Sequence, residues 1–409
     1  MEHVVVVGSS LAGLRACEVL RSGGFAGAIT VVGAERHLPY DRPPLSKKFL
    51  AGEWDADQIA LRKPDALGEL QLTFRLGAGA TALDTARRTI TLADGGVEQY
   101  DGLVIATGAS CRRLPNQPAL VGIHELRTLD DAIALRTDLG GRAVPARVVV
   151  IGAGFIGLEA AATARRAYGC AVTVLEGLPA PLVRALGSDM GSAIGSIHGD
   201  QGVDIRCGVQ VAAIEGDGTR VSGVRLGDGS LVDADVVLVG IGVVPNTAWL
   251  VGSGLELRDG VVCDATLNAG VPGVYAAGDL VRWPNGLFGE EMRVEHWTTA
   301  SEQGAAAASN LLAVSRGEGA TPFETVPFFW SDQFDARIQY LGRGGEHDEV
   351  RVVAGSVQDR RFMALYGRNG RLRAALGVSM PKMVMPMRRL LAERATWDDA
   401  LAFAAERAV

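Results

Sequence analysis

The sequence predicts an α/β protein with two doubly wound, Rossmann-like units and a C-terminal α+β domain, and three observations carry that prediction. The 409 residues are too many for one ordinary core, and a division by about 150 residues suggests three domains. The 53 glycines concentrate in two stretches that copy one another. VVVVGSSLAGLRACEVLRSGGFAGAITVVGAE (Val4 to Glu35) runs from an apolar β segment through a small-residue turn and an amphipathic helical segment to a second β segment ending on an acid. RVVVIGAGFIGLEAAATARRAYGCAVTVLEG (Arg147 to Gly177) repeats that order, with Gly8 matching Gly152 and Gly13 matching Gly157. Finally, the hairpin dipeptides Asp94-Gly95 and Asp228-Gly229 are each followed by an aspartate, Asp101 or Asp235, that opens an apolar strand, LVIATG or VVLVGIG. Each copy therefore reads as a βαβ unit, a β-meander and a closing strand, repeated about 140 residues apart. Parallel strands need helical crossovers on the sheet faces, which gives two Rossmann-like dinucleotide-binding domains.

Composition excludes several function classes. Hydrophobic residues at 48% and charged residues at 21% fit a globular chain. No uncharged apolar run approaches the roughly 18 residues of a membrane helix, and Met1-Glu2-His3 leads straight into a strand, so secretion and membrane insertion are not expected. Cys17, Cys111, Cys170, Cys207 and Cys263 are never closer than 37 residues and form no C-x-x-C, which predicts reduced thiols in a cytoplasmic protein and no metal site. A net charge of −7 argues against nucleic acid as a general partner.

The glycine turns carry the first chemistry. A missing Cβ lets backbone approach a pyrophosphate, whose charge then rests on free N–H groups at the helix start. Gly152-Ala153-Gly154-Phe155-Ile156-Gly157 has the full pattern, with Glu176 about 20 residues on. Gly8-Ser9-Ser10-Leu11-Ala12-Gly13 has Ser10 where the middle glycine belongs, and Glu35 as its candidate acid beside Arg36. A carboxylate at such a strand end bonds the adenosine ribose and repels a 2′-phosphate, so Glu176 predicts NADH; a solvated strand-end glutamate is the plainer alternative. Two dinucleotide sites in one chain suggest a flavin enzyme that takes hydride from a nicotinamide.

VIATGAS (Val104 to Ser110) and GVYAAGDLV (Gly273 to Val281) resemble the segments that close over FAD in two-dinucleotide flavoprotein reductases of glutathione-reductase-like architecture. YDRPPLSK (Tyr40 to Lys47), LRTLDDA (Leu126 to Ala132), GIGVVPN (Gly240 to Asn246), VEHWTTASEQG (Val294 to Gly304) and FFWSDQ (Phe328 to Gln333) resemble the oxygenase-coupled ferredoxin reductases, and the similarity covers essentially the whole chain. The resemblance implies FAD contacts from Gly8, Ser10, Ala12, Gly13, Glu35, Arg42, Lys47, Ala80, Thr107, Gly108, Arg127, Gly278, Asp279 and Trp297. It implies NAD contacts from Gly152, Gly154, Phe155, Ile156, Gly157, Glu159, Glu176 and Gly242. The order of the two copies, the shortness of the stretch after the second and the change of composition near 319 predict domains at 1–111 and 242–318 for FAD, 112–241 for NAD and 319–409 at the C-terminus. Ser10, Ala34 and His296-Trp297 depart from some relatives.

Relatives with this architecture that use protein sulfur carry a cysteine where this chain has none between Cys17 and Cys111, so electrons are expected to leave the flavin directly. The family pairs the lysine matching Lys47 with the glutamate matching Glu159, which makes the two the candidate catalytic residues. Taken alone, Lys47 also reads as a surface lysine and Glu159 as an acid near a helix start. The expected acceptor is a [2Fe–2S] ferredoxin that supplies a cytochrome P450 or a ring-hydroxylating dioxygenase. The alternatives are rubredoxin as acceptor and a slow-turnover NADH-sensing flavoprotein resembling apoptosis-inducing factor.

Arg351 to Arg394 holds ten basic and two acidic residues, against −7 for the whole chain. That bias suggests a basic docking face with Arg388 and Arg389 as partner candidates, or else an ordinary solvated surface. The resemblance adds Trp330, which matches an aromatic near the flavin and partner surface in relatives, or else is an ordinary buried tryptophan. The C-terminal region predicts short strands and then two helices, with Pro386 at a first helical position and Thr396-x-x-Asp399 as a capping box.

Overall fold

The computed structural model describes residues 1–345 and 348–407. It divides into two compact units: Met1–Asp41, Ile59–Ser110 and Val244–Pro327 form one, and Arg42–Gln58, Cys111–Val243 and Phe328–Val409 the other.

In the first unit, strand His3–Val7 pairs in parallel with Ala28–Gly33 on one side and Gly102–Ile105 on the other. Thr73–Leu76 and Val274–Ala276 extend the two edges, so the sheet is parallel throughout. The first copy thus gains its last strand from a segment about 170 residues later in the chain. Val4, Val5 and Val6 are fully buried in one core with Ala16 and Leu20 of helix Leu11–Ser22 and with Leu83, Ile90 and Leu92, which explains why this strand is a continuous apolar run rather than an alternating one. Helix Leu11–Ser22 packs against helix Trp297–Ser315, where Gly304 lies so close that an added Cβ would sit 2.2 Å from the Ala12 carbonyl oxygen. The antiparallel ribbon Ala80–Asp84, Thr89–Leu92, Val97–Gln99 completes the meander.

The second unit repeats this plan with strands Asp204–Cys207, Ala171–Glu176, Arg147–Ile151, Val236–Val239 and Ile123–His124, all parallel. Its meander is Val211–Gly216, Val221–Leu226, Leu231–Asp233. The same unit carries a five-stranded antiparallel sheet in the order Phe328–Gln333, Ala336–Gly342, Arg371–Val378, Arg361–Arg368, Glu349–Ser356.

The aspartates that open the closing strands do one job twice. Asp101 accepts the backbone N–H groups of Glu2 and His3 at 2.6 and 2.9 Å, and Asp235 accepts that of Arg147 at 2.9 Å. Asp235 also takes two bonds from the Arg147 guanidinium, and chiefly these hold its carboxyl at about 2, below the usual 3.8. A carboxyl lowered on folding stabilises the fold above its ordinary value, and that stabilisation is lost as pH falls from about 4 to about 2. Asp235→Asn is therefore expected to cost about 1 kcal/mol at neutral pH, a figure reduced for solvent screening. Urea midpoints measured from pH 7 down to pH 3 should show the gap to wild type closing below pH 4; a gap independent of pH would contradict this account.

The C-terminal region holds three helical pieces among the described residues, where the sequence suggested two: Pro381–Val384, Met387–Ala392 and Trp397–Arg407. Pro386 lies between the first two, and its ring and missing N–H divide one helical path. It stands just before the helix rather than at its first position. Thr396 caps the last helix by accepting the Asp399 N–H, while its hydroxyl turns to donate to the Asp399 carboxylate at 2.6 Å.

Candidate active site

In the first unit, Gly8 has φ 128°, and an added Cβ would lie 2.0 Å from the Ala106 carbonyl oxygen. Gly13 sits one helical turn on, where a Cβ would lie 1.9 Å from the Gly8 carbonyl oxygen. The turn therefore folds tightly under the helix start only because both positions lack a side chain. Ser10 is the N-cap, yet its hydroxyl makes no cap bond, and the first helical turn carries no acid. The leading N–H groups are thus left without an internal anion, which fits a pyrophosphate there.

The other candidates of the same unit lie at five places. Tyr40 donates to Glu35 at 2.5 Å, at the end of strand Ala28–Gly33. Thr107 and Asn246 clasp one another: the Thr107 hydroxyl donates to the Asn246 carbonyl, and the Asn246 amide to the Thr107 carbonyl, each at 2.9 Å. The Asn246 N–H also bonds the Gly108 carbonyl. Gly278, at φ 89°, gives its N–H to Gln303, and a Cβ there would press on Ala12 at 3.3 Å. Asp279 follows directly and is half-buried. Trp297 opens helix Trp297–Ser315 and donates its indole N–H to Asp41 at 2.7 Å. Ala80 begins its meander strand opposite Leu92.

The second unit repeats the turn. Gly152 (φ 104°) and Gly157 pack against Gly240 and Gly152 carbonyls respectively, with no room for a Cβ. Over Gly154, the N-cap of helix Phe155–Tyr168, and over Gly242, an added Cβ would meet nothing, so open space lies above this turn. Ile156, in the first turn of that helix, is 48% exposed. Glu176 reaches back from its strand end to accept the Ala153 and Leu178 N–H groups at 2.8 and 2.9 Å. Its carboxylate is thereby fixed at the mouth of the turn. These features fit a second dinucleotide.

The segment Arg42–Gln58 brings Lys47 to Glu159, with 2.7 Å between ammonium and carboxylate. Glu159 is 2% exposed, on the buried face of helix Phe155–Tyr168. Ser46 donates to the same carboxylate oxygen at 2.5 Å and Ser331 to the other at 2.6 Å. Arg42, ahead of the Pro43–Ser46 turn, donates to the Arg127 carbonyl at 2.5 Å, and Arg127 leads into the Thr128–Asp131 capping box of helix Leu129–Gly140. Strand Phe328–Gln333 sorts its side chains by alternation: Phe329 meets Phe155 with centroids 4.5 Å apart, Ser331 meets Glu159, and Phe328 and Trp330 stack on the opposite face. Arg388 and Arg389 lie on helix Met387–Ala392, Arg389 exposed and 4.0 Å from Glu393.

Ser46, Asp41, Asn246, Gln303 and Ser331 were not candidates from sequence. The Thr128–Asp131 box was legible as T-x-x-D ahead of an apolar run. Ser331 and Gln333 had a signal as well, being polar residues two apart on one face of a strand whose neighbours are aromatic.

All five cysteines are free, and burial raises every thiol, Cys17 and Cys263 to about 12. None is poised as a thiolate for electron transfer.

Two glycine-turned βαβ units in tandem, each with a strand-end acid, define a two-dinucleotide α/β oxidoreductase. The chain belongs to the pyridine nucleotide-disulphide oxidoreductase family, whose model matches residues 2–304, and residues 328–408 match the reductase C-terminal model. It is 35% identical over 395 residues to a ferredoxin–NAD(P)+ reductase of Sphingomonas sp., covering 96% of this chain and 93% of the relative. It is 37% identical over 402 residues to the ferredoxin–NAD+ reductase component of an anthranilate 1,2-dioxygenase system of Burkholderia cepacia, covering 96% and 95%. Its fold superposes on that of the covalent putidaredoxin reductase–putidaredoxin complex with a TM-score of 0.91 at 32% identity, covering 100% and 99% of the two chains. Among the described residues no helix is long and apolar enough to cross a membrane.

Proposed function

We propose that this chain is a cytoplasmic, FAD-containing reductase that passes electrons from NADH to a [2Fe–2S] ferredoxin serving a cytochrome P450 or a ring-hydroxylating dioxygenase. The observation that carries this reading is the coexistence of two dinucleotide turns and a buried Lys47–Glu159 ion pair in a chain whose thiols are all held protonated. When bound, FAD accepts hydride from the nicotinamide and gives up electrons one at a time.

The protein's own residues supply binding, orientation and charge. Gly8, Ser10, Ala12 and Gly13 receive the FAD pyrophosphate, Glu35 its adenosine ribose, and Asp279 its ribityl chain, and the family resemblance assigns further FAD contacts to Arg42, Ala80, Thr107, Gly108, Arg127, Gly278 and Trp297. Gly152, Gly154 and Gly157 receive the NADH pyrophosphate, Phe155, Ile156 and Gly242 line the approach, and Glu176 bonds the ribose. Lys47 offers a fixed positive charge to an electron-rich flavin, and Glu159 aims it. Ser46 and Ser331 hold Glu159 in turn, so the buried carboxylate is fully engaged.

For the exit of electrons, the basic stretch narrows to a smaller surface. Arg351, Arg360 and Arg368 are offset by Glu349, Asp200 and Asp348. Seven basic residues of the stretch remain after these pairs, and three of them, Lys382, Arg388 and Arg389, lie on two short helices, with Arg389 4.0 Å from Glu393. An acidic ferredoxin steered there should associate more slowly as salt rises, since the Debye length is roughly 10 Å at 0.1 M. Replacing Arg388 and Arg389 by glutamate is expected to lower ferredoxin-dependent cytochrome c reduction about tenfold at low salt while NADH:ferricyanide activity changes little. Turnover insensitive to both salt and charge reversal would move the docking face elsewhere.

A further inference from the structure

The Glu159 carboxylate is held from behind by side chains that the proposed reaction does not use. Ser331, Gln333 and His198 are each fully buried, and such polar groups are retained only when satisfied. The His198 Nε2 lies 2.8 Å from the Gln333 Oε1, the Gln333 Nε2 lies 3.0 Å from the Ser331 Oγ, and the Ser331 Oγ lies 2.6 Å from the Glu159 Oε1.

The direction of every bond follows from its end. A carboxylate paired with Lys47 accepts, so the single Ser331 proton points at Glu159. Ser331 must then accept from the Gln333 amide, whose carbonyl must accept from His198, which fixes the imidazole proton on Nε2. The His198 Nδ1 is the one atom of this line left without a partner, an exception to that rule, and burial lowers the pKa of this imidazole, so the neutral ring, which carries only a lone pair there, fits the site. Helix Val183–Asp200 and strand Phe328–Gln333 thus meet helix Phe155–Tyr168 through one line of donors.

We propose that His198, Gln333 and Ser331 form a one-way donor chain that locks the Glu159 carboxylate in a single orientation and so aims the Lys47 ammonium. They are positioning residues, and their role rests on the reading of Lys47 and Glu159 given above. Without the chain, Glu159 would keep its Ser46 and Lys47 bonds on one oxygen but could turn about that oxygen as the other came free, and the charge on Lys47 would be spread over several positions.

The test uses the FAD-loaded protein. Ser331→Ala should slow stopped-flow flavin reduction by NADH about fivefold, the equivalent of one net hydrogen bond. It should also lower the flavin midpoint potential by about 20 mV, which is the same fivefold at about 30 mV per tenfold in a two-electron couple. Ser331→Thr, which keeps the hydroxyl, should restore both. In a Lys47→Met background, Ser331→Ala should cause no further loss. Wild-type rate and potential in a fully loaded Ser331→Ala, alongside a slowed Lys47→Met, would overturn the chain and leave the ion pair standing. An unchanged Lys47→Met would overturn the reading beneath it, and the chain with it. Should Ser331→Ala not yield loaded protein, His198→Phe carries the test from the far end, and wild-type values in that variant overturn the proposal.

Discussion

Glu176→Arg is expected to lower kcat/KM for NADH by about 10 to 150-fold and to raise it for NADPH, the span that corresponds to one charged hydrogen bond of roughly 1.5 to 3 kcal/mol. The wild-type carboxylate is held at the mouth of the turn by the Ala153 and Leu178 N–H groups, so it is already oriented before a ribose arrives. A 2′-phosphate placed there would meet a fixed negative charge, whereas an arginine would pair with it. Glu176→Gln separates the two jobs of this side chain. It keeps an acceptor for the turn but removes the repulsion, so it should raise NADPH use with a smaller loss of NADH use. Equal use of the two nicotinamides by the wild type would refute the assignment.

Lys47→Met and Glu159→Gln are each expected to slow flavin reduction by NADH about 100-fold or more, the scale of removing one preorganised charge from a water-poor site. The two residues touch at 2.7 Å and act as one device, so the double variant should lose far less than the product of the single losses. Glu159→Gln also leaves the Lys47 ammonium beside a neutral amide in a buried place, which is expected to lower thermal stability as well. Stopped-flow rates measured on variants with full FAD content separate the two effects. Fully additive losses, or wild-type rates in both single variants, would remove the pair from the mechanism.

The βαβ copies could be read from sequence because they are local: strand, turn and helix all lie within about 30 residues, and the glycines that permit the close approach recur at one spacing. The parallel sheets follow from the same apolar runs, Val4 to Val7 and Val148 to Ile151. The ion pair was not legible in this way. Lys47 and Glu159 are 112 residues apart, and only a family resemblance joined them. Ser331 and His198 are separated from their partners by 172 and 135 residues, with no spacing rule to connect them. From sequence the first C-terminal helix starts at Pro386, and Pro381–Val384 is missed because a helix of four residues is too short to show a period. Pro381 starts the first short helix and Pro386 precedes the second, each using the ring where no N–H is needed.

The central claim is that electrons pass from NADH through FAD to an iron–sulfur protein without a protein thiol. It is tested most directly by cytochrome c reduction in a mixture of NADH, the FAD-loaded protein and a [2Fe–2S] ferredoxin, run with the wild type and with a variant in which Cys111 and Cys207, the two half-buried thiols, are replaced by serine. The account predicts a rate that rises in proportion to added ferredoxin, is close to zero without it, and is the same in the variant. A rate independent of ferredoxin, a rate abolished in the variant while FAD stays bound, or a long-lived reduced protein that scarcely turns over would contradict it.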